Sequence, residues 1–238
     1  MQAMEQLAER LAKRLRKQLI RRHRVLNRGR MIHIRRTVRR NLAHGGLPLK
    51  LAYRERRRQF PRLVLLVDIS HSMERYSRLL ARFARALVLT FREAEAFVFH
   101  TRLYRVTDQF RQQDVETMRR QLDKLAPLWM GGTRIADSLH SFNCQYARRL
   151  VNSRSIVIIM SDGFDSDSPE SLERELRLLR TRAKRLLWLN PMLGREDYSP
   201  DEGTMAVALP LLDLIAPAHS VASLETVLDY LIQAHTRK

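Results

Sequence analysis

Cysteine is nearly absent from this chain, whose 238 residues contain a single one, Cys144. No disulfide can close within the chain and no thiol-rich zinc site can be built, which fits a reducing compartment. Long apolar runs are missing too: no stretch approaches the roughly 20 residues of a membrane span. The opening MQAMEQLAERLAKRLRKQL carries charge throughout, where a secretory signal needs an apolar core. These absences lead to the expectation of a soluble, cytoplasmic protein without a transmembrane segment, membrane contact being at most peripheral. Aromatics make up only 7%, and within the first 62 residues they are Tyr53 and Phe60 alone, too few for a base-stacking platform.

Apolar residues reach 45%, enough for one large domain or a domain with an appendage. The net charge of +19 is unevenly spread: residues 1–62 hold 20 Lys/Arg against 3 Asp/Glu, whereas residues 63–238 hold 24 against 22. The chain therefore divides into a basic leader and linker, 1–62, and a nearly neutral body, 63–238. Such a leader attracts polyanions, which makes an anionic membrane face, an acidic protein and nucleic acid its candidate partners. Simple solvation of an exposed helix and linker accounts for the same charge equally well.

In the leader, Leu7, Leu11, Leu15 and Leu19 recur every four residues, predicting an amphipathic helix over 3–26. A partly helical or extended connector follows to residue 62. From Leu63 the pattern alternates: strands at 63–67, 96–99, 103–106, 155–160 and 185–189, the second and third close enough for a hairpin, and helices at 73–91, 115–125, 134–150, 169–182 and 223–234. Ser168 and Pro169 open the 169–182 helix as N-cap and first-turn proline. Residues 191–213 read as a long connection. This alternation predicts an α/β fold, a doubly wound and mostly parallel sheet with helices on both faces, in which ligands bind at the carboxyl ends of the strands.

Two strand ends carry carboxylates. LVLLVDISHS delivers Asp68, Ser70 and Ser72, and IVIIMSDG delivers Ser161, Asp162 and Gly163; between them Gly131-Gly132-Thr133 offers a flexible turn with a hydroxyl. A spacing of two in extended chain sets residues 68, 70 and 72 on one side. Asp68, Ser70, Ser72, Thr133 and Asp162 together make the oxygen set a hard cation takes, with Mg2+ first and Mn2+ or Ca2+ as alternatives. Two carboxylates balance a divalent charge, the neutral ligands leave the ion electrophilic, and a partner's Glu or Asp is the natural sixth ligand. Each piece alone also reads as a helix cap. Asp165 and Asp167 read as turn residues, with added negative potential near the metal as the alternative, Trp188 as core, Asn190 as a turn former and Cys144 as a small buried group.

The three loops in this order resemble the von Willebrand factor type A (VWA) fold and its metal-ion-dependent adhesion site (MIDAS). RRTVRRNLAHGGLPL, RLVLLVDISHSME, AFVFHTRLYRVT, WMGGTRI, IIMSDGFD, LLWLNP and MAVALPLLD resemble its CoxE-like branch. That resemblance implies a non-enzymatic accessory role beside a MoxR-type AAA+ ATPase, in maturing a client metalloenzyme, a molybdenum hydroxylase such as carbon monoxide dehydrogenase. It also carries Asp68, Ser70, Ser72, Thr133 and Asp162 over as metal ligands. His71 departs from the pattern, standing where the family usually has glycine; it reads as a solvated neighbour, with an added ligand or a pH gate as alternatives. Two other functions compete: a metal-dependent phosphohydrolase, against which Ser70 stands where the acid of an Asp-x-Asp pair belongs, and nucleic-acid binding through the leader.

Overall fold

A computed structural model describes residues 31–32, 34–42, 51–54, 61–112, 132–195, 198–201 and 203–236. The helices expected at 3–26 and 115–125 lie outside the described residues. The chain forms two compact units, one of residues 17–60 and one that contains everything from Pro61 onward.

In the first unit, β1 (Met31–Ile32) pairs antiparallel with β2 (Tyr53–Arg54), and α1 (Ile34–Asn41) lies between them in sequence. A polar pin closes it. The buried Thr37 hydroxyl accepts from the Ala52 N–H at 2.9 Å, and Asn41 Nδ2 donates to the Thr37 carbonyl at 2.6 Å. Ile34, Val38 and Leu42, spaced by four, stay exposed beside exposed Arg35 and Arg39. The basic connector thus carries an outward apolar stripe.

The second unit is built on a six-stranded sheet of β3 (Arg62–Asp68), β4 (Ala94–Phe99), β5 (Leu103–Arg105), β6 (Ser155–Met160), β7 (Arg185–Asn190) and β8 (Leu214–Pro217). Its spatial order is β5-β4-β3-β6-β7-β8, with β5 antiparallel to β4 and every other pair parallel. Strands β3 and β6 are apolar at nearly every position because both of their faces are covered. The doubly wound α/β fold expected from the alternation is the fold observed.

The helices are α2 (Glu74–Thr90), α3 (Thr107–Arg111), α4 (Ile135–Phe142), α5 (Pro169–Arg182), α6 (Gly203–Ala208) and α7 (Val221–Thr236). Side chains 64, 66, 97, 99, 157, 159, 186 and 188 point to one face, where Ile135, Leu139 and Phe142 of α4, Leu172, Leu176 and Leu179 of α5, and Met205 of α6 enclose them. Phe97 meets Phe142 edge-on at 5.2 Å between ring centroids. Helix α2 packs on β3 and β4.

Three details differ from expectation. The 191–213 connection contains a 3-10 turn (Pro191–Gly194), α6 and a second 3-10 turn (Leu209–Leu211), and β8 follows. A four-residue edge strand ending in proline gives almost no periodic signal. Helix α4 widens into a π turn over Asn143–Ala147 before a last helical turn, Arg148–Leu150. The extra residue carries burial from Phe142 to Ala147, and Cys144, expected inside, is exposed on the outer side.

Candidate metal centre

The chain turns back at β3 and runs outward from there in both directions, first through β4 and β5, later through β6, β7 and β8. Between β3 and β6 lies the switch point, where a crevice opens beyond the carboxyl ends of the strands. Asp68 ends β3 and Ser161-Asp162 follows β6, so the topology itself brings the two carboxylates together. Asp68 is fully buried. Its Oδ1 accepts from the Ser70 N–H at 2.8 Å and its Oδ2 from the Ser161 hydroxyl at 2.6 Å. Burial pushes its carboxyl up to about 7; the Ser161 hydroxyl works against that rise and the negative charge of Asp162 adds to it.

Asp162 is buried as well, yet only half satisfied. Its Oδ1 accepts from the Phe164 N–H at 3.1 Å, while Oδ2 is buried without a hydrogen-bond partner. Burial raises its pKa; the nearby Ser72 hydroxyl, then the Phe164 N–H, partly offset the rise. The Asp162 carbonyl is held by Asn190 Nδ2 at 2.9 Å and by the Tyr198 hydroxyl at 3.2 Å, and Trp188 Nε1 holds the Ser161 carbonyl at 2.9 Å. Gly163 then turns the chain with φ +84°, where a Cβ would lie 2.6 Å from Met205. The backbone around Asp162 is fixed, and one carboxylate oxygen is left over.

The hydroxyls expected at the site are not used as caps. Ser70 and Ser72 share a hydrogen bond at 3.1 Å, and helix α2 begins after Met73 without any side-chain cap. Thr133 is buried, and α4 begins after Arg134, again without a side-chain cap of its own. The acceptors for α4 come from a distant loop: Asp165 takes the Ile135 and Ala136 N–H groups at 2.9 and 3.0 Å, and Asp167 takes that of Asp137 at 3.0 Å. Further bonds tie this loop down. The Thr133 carbonyl accepts from Ser166 N at 2.8 Å, and Arg134 N donates to the His100 carbonyl, just beyond β4, at 3.1 Å. The Thr133 loop is thereby stitched at the same end of the sheet as the other two.

Two buried carboxylates, one with an unshared oxygen, and hydroxyls free of capping duty fit a hard divalent cation. An orphaned buried carboxylate oxygen is costly, and a cation satisfies it.

The model of the VWA domain containing CoxE-like protein family matches residues 5–224. The chain belongs to this family. A von Willebrand factor type A protein from Catenulispora acidiphila superimposes with a TM-score of 0.50 at 14% identity, over 79% of this chain and 44% of that one. Proximal thread matrix protein 1 from the mussel byssus gives 0.49 at 16% identity, over 74% and 48%. A structure of that mussel protein with a zinc-occupied MIDAS motif gives 0.46 at 18%, over 72% and 44%. The first likeness shows the fold, that of a VWA domain. This chain spans less than half the length of each of these proteins. A comparison with curated proteins finds no match.

The family match begins inside the basic leader, so residues 5–62 lie within the matched region of this CoxE-like chain. His71 is exposed and faces Glu74 at 3.5 Å, the arrangement of a solvated neighbour. Several residues that build the site were not anticipated. Ser161 was visible in its motif but not as the partner of Asp68, and Asn190 and Tyr198 carry no local signal of holding Asp162. Asp165 does form the turn its sequence predicts, accepting from the Asp167 N–H at 3.0 Å, and the two aspartates also cap α4.

Proposed function

We propose that residues 63–238 act as a non-catalytic docking module, in which Asp68, Ser70, Ser72, Thr133 and Asp162 hold a divalent cation, Mg2+ first. What carries this reading is the buried, unpartnered Oδ2 of Asp162 beside the Ser70–Ser72 hydroxyl pair. Once bound, the ion supplies an electrophilic position for one more oxygen. The chain's own side chains neutralise the ion's charge with two carboxylates and leave room for a third carboxylate from a partner protein. No acid stands where a phosphohydrolase needs one, since Ser70 fills that place.

The partner in this reading is a MoxR-type AAA+ ATPase, and the client a metalloenzyme under maturation, a molybdenum hydroxylase such as carbon monoxide dehydrogenase. Membership of the CoxE-like family supports it. The basic leader, 1–62, with Ile34, Val38 and Leu42 exposed between arginines, supplies a second contact to an anionic surface. No described helix is long and apolar enough to cross a membrane; the reading sets the protein in the cytoplasm, at most peripheral to a membrane.

Co-purification tests this. The ATPase is expected to come down with the intact chain in Mg2+, and to be lost in EDTA and in Asp68→Ala or Asp162→Ala. Equal recovery in all four conditions overturns the docking mechanism.

A further inference from the structure

Cys144 is the chain's one thiol, and it does not stand alone. Its Sγ lies 3.5 Å from His140 Nε2, one helical turn back on α4. The other ring nitrogen of His140, Nδ1, meets Glu175 Oε1 of α5 at 3.1 Å. Glu175 is buried, and its second oxygen accepts from Asn143 Nδ2 at 2.9 Å, while Arg174 Nε donates to Oε1 at 3.2 Å. A thiol, an imidazole and a buried carboxylate are thus in line across two helices.

The order of these groups fixes the proton. Burial pushes the Glu175 carboxyl up, but the Asn143, His140 and Arg174 hydrogen bonds outweigh it and hold the group below its ordinary value, ionised at neutral pH. An ionised carboxylate only accepts. His140 Nδ1 therefore carries a proton, and in the neutral imidazole Nε2 is left bare toward the thiol. A nucleophile within reach of a base that is itself oriented by a third group is the arrangement that activates thiols. The π turn over Asn143–Ala147 falls at this place, and such turns concentrate at functional sites. The thiol is exposed, so a small molecule can reach it.

We propose that Cys144 is an activated thiol that exchanges with low-molecular-weight disulfides, with His140 as its base and Glu175 as the positioning residue. The Cys144 proton passes to His140 Nε2 as Sγ attacks one sulfur of the disulfide. A new S–S bond forms to Cys144, the old one breaks, and the departing thiolate takes the proton back from His140. The product is the chain carrying one thiol adduct, plus one free thiol. The site lies on the α4–α5 face and owes nothing to the cation site, so the two readings fail independently.

Because Cys144 is the only cysteine, adduct formation by the full chain with glutathione disulfide reports this site alone, followed as a mass increase over time. The intact chain is expected to react faster than an unstructured cysteine peptide at the same pH. His140→Ala, at an exposed position of a helix, is expected to slow the reaction by roughly tenfold or more while the melting temperature holds, and added free imidazole is expected to restore part of the rate. A rate no greater than that of the peptide overturns the proposal. So does a rate that His140→Ala leaves unchanged, or one that imidazole does not restore.

Discussion

Within six residues the loop after β6 uses aspartate in two opposite ways. Asp165 gives both carboxylate oxygens to backbone N–H groups of α4 and Asp167 gives one, its other accepting from Arg134 Nε, whereas Asp162 keeps one buried oxygen without any partner. The first two stabilise a helix and have both oxygens engaged. The third costs the fold something and has an oxygen to offer. Proximity in sequence and identity of side chain therefore say little about role; the number of unsatisfied lone pairs says more.

The sharpest way to break this contrast is to remove each acid in turn. Asp162→Ala is expected to lower divalent-cation affinity on the order of a hundredfold, read by calorimetric titration, while leaving the metal-free protein as stable as before or more so, since a desolvated charge is gone. Unchanged affinity would remove Asp162 from the ligand set. Asp165→Ala is expected to do the reverse at the level of stability, costing about 2 kcal/mol in urea unfolding because the N–H groups of Ile135 and Ala136 lose their acceptors. If the cost were near zero, the capping role would be wrong.

A pH series adds a smaller, signed effect. The folded state holds the Asp68 proton up to about 7, against 3.8 for the free side chain, so between those values the native protein binds more protons than the unfolded chain. Stability of the metal-free protein should then fall as pH rises from about 4 to 7, the opposite of a salt-bridged aspartate. A divalent cation, which needs the carboxylates ionised, should offset that fall most at the upper end. Thermal melts at pH 5 and pH 8, with EDTA and with Mg2+, check both signs. The smallest effect belongs to His71→Gly: with the imidazole exposed, stability should move by less than about 0.5 kcal/mol and cation affinity should hardly change. A large change in affinity would make His71 a ligand.

The sequence was most readable where chemistry is local. Buried runs such as LVLLVD and IVIIM announced strands, Ser168-Pro169 announced a helix start, and the Asp-x-Ser-x-Ser, Gly-Gly-Thr and Ser-Asp-Gly pieces pointed, through their family pattern, to the loops for which a cation site is proposed. What stayed hidden was non-local. Asp165 and Asp167 cap a helix some 30 residues earlier, and Tyr198 reaches Asp162 from 36 residues away. Cys144 misled because cysteine is usually buried, whereas its place in the π turn, two residues beyond Phe142, turns it outward. The Cys144–His140–Glu175 alignment needed α5 to be packed on α4 before it existed at all.

The distant capping of α4 also bears on how the protein is made. When Ile135, Ala136 and Asp137 leave the ribosome, the acceptors for their N–H groups have not yet been synthesised. They arrive only with the 165–167 loop, and that loop is in position only after β6 has found its place beside β3. The helix that follows the Thr133 turn therefore gains its finished start late, from a pairing far apart in the chain, and such long-range contacts form slowly. This end of the sheet therefore cannot be completed until the nascent chain has grown past residue 167, well beyond residues 68 and 133.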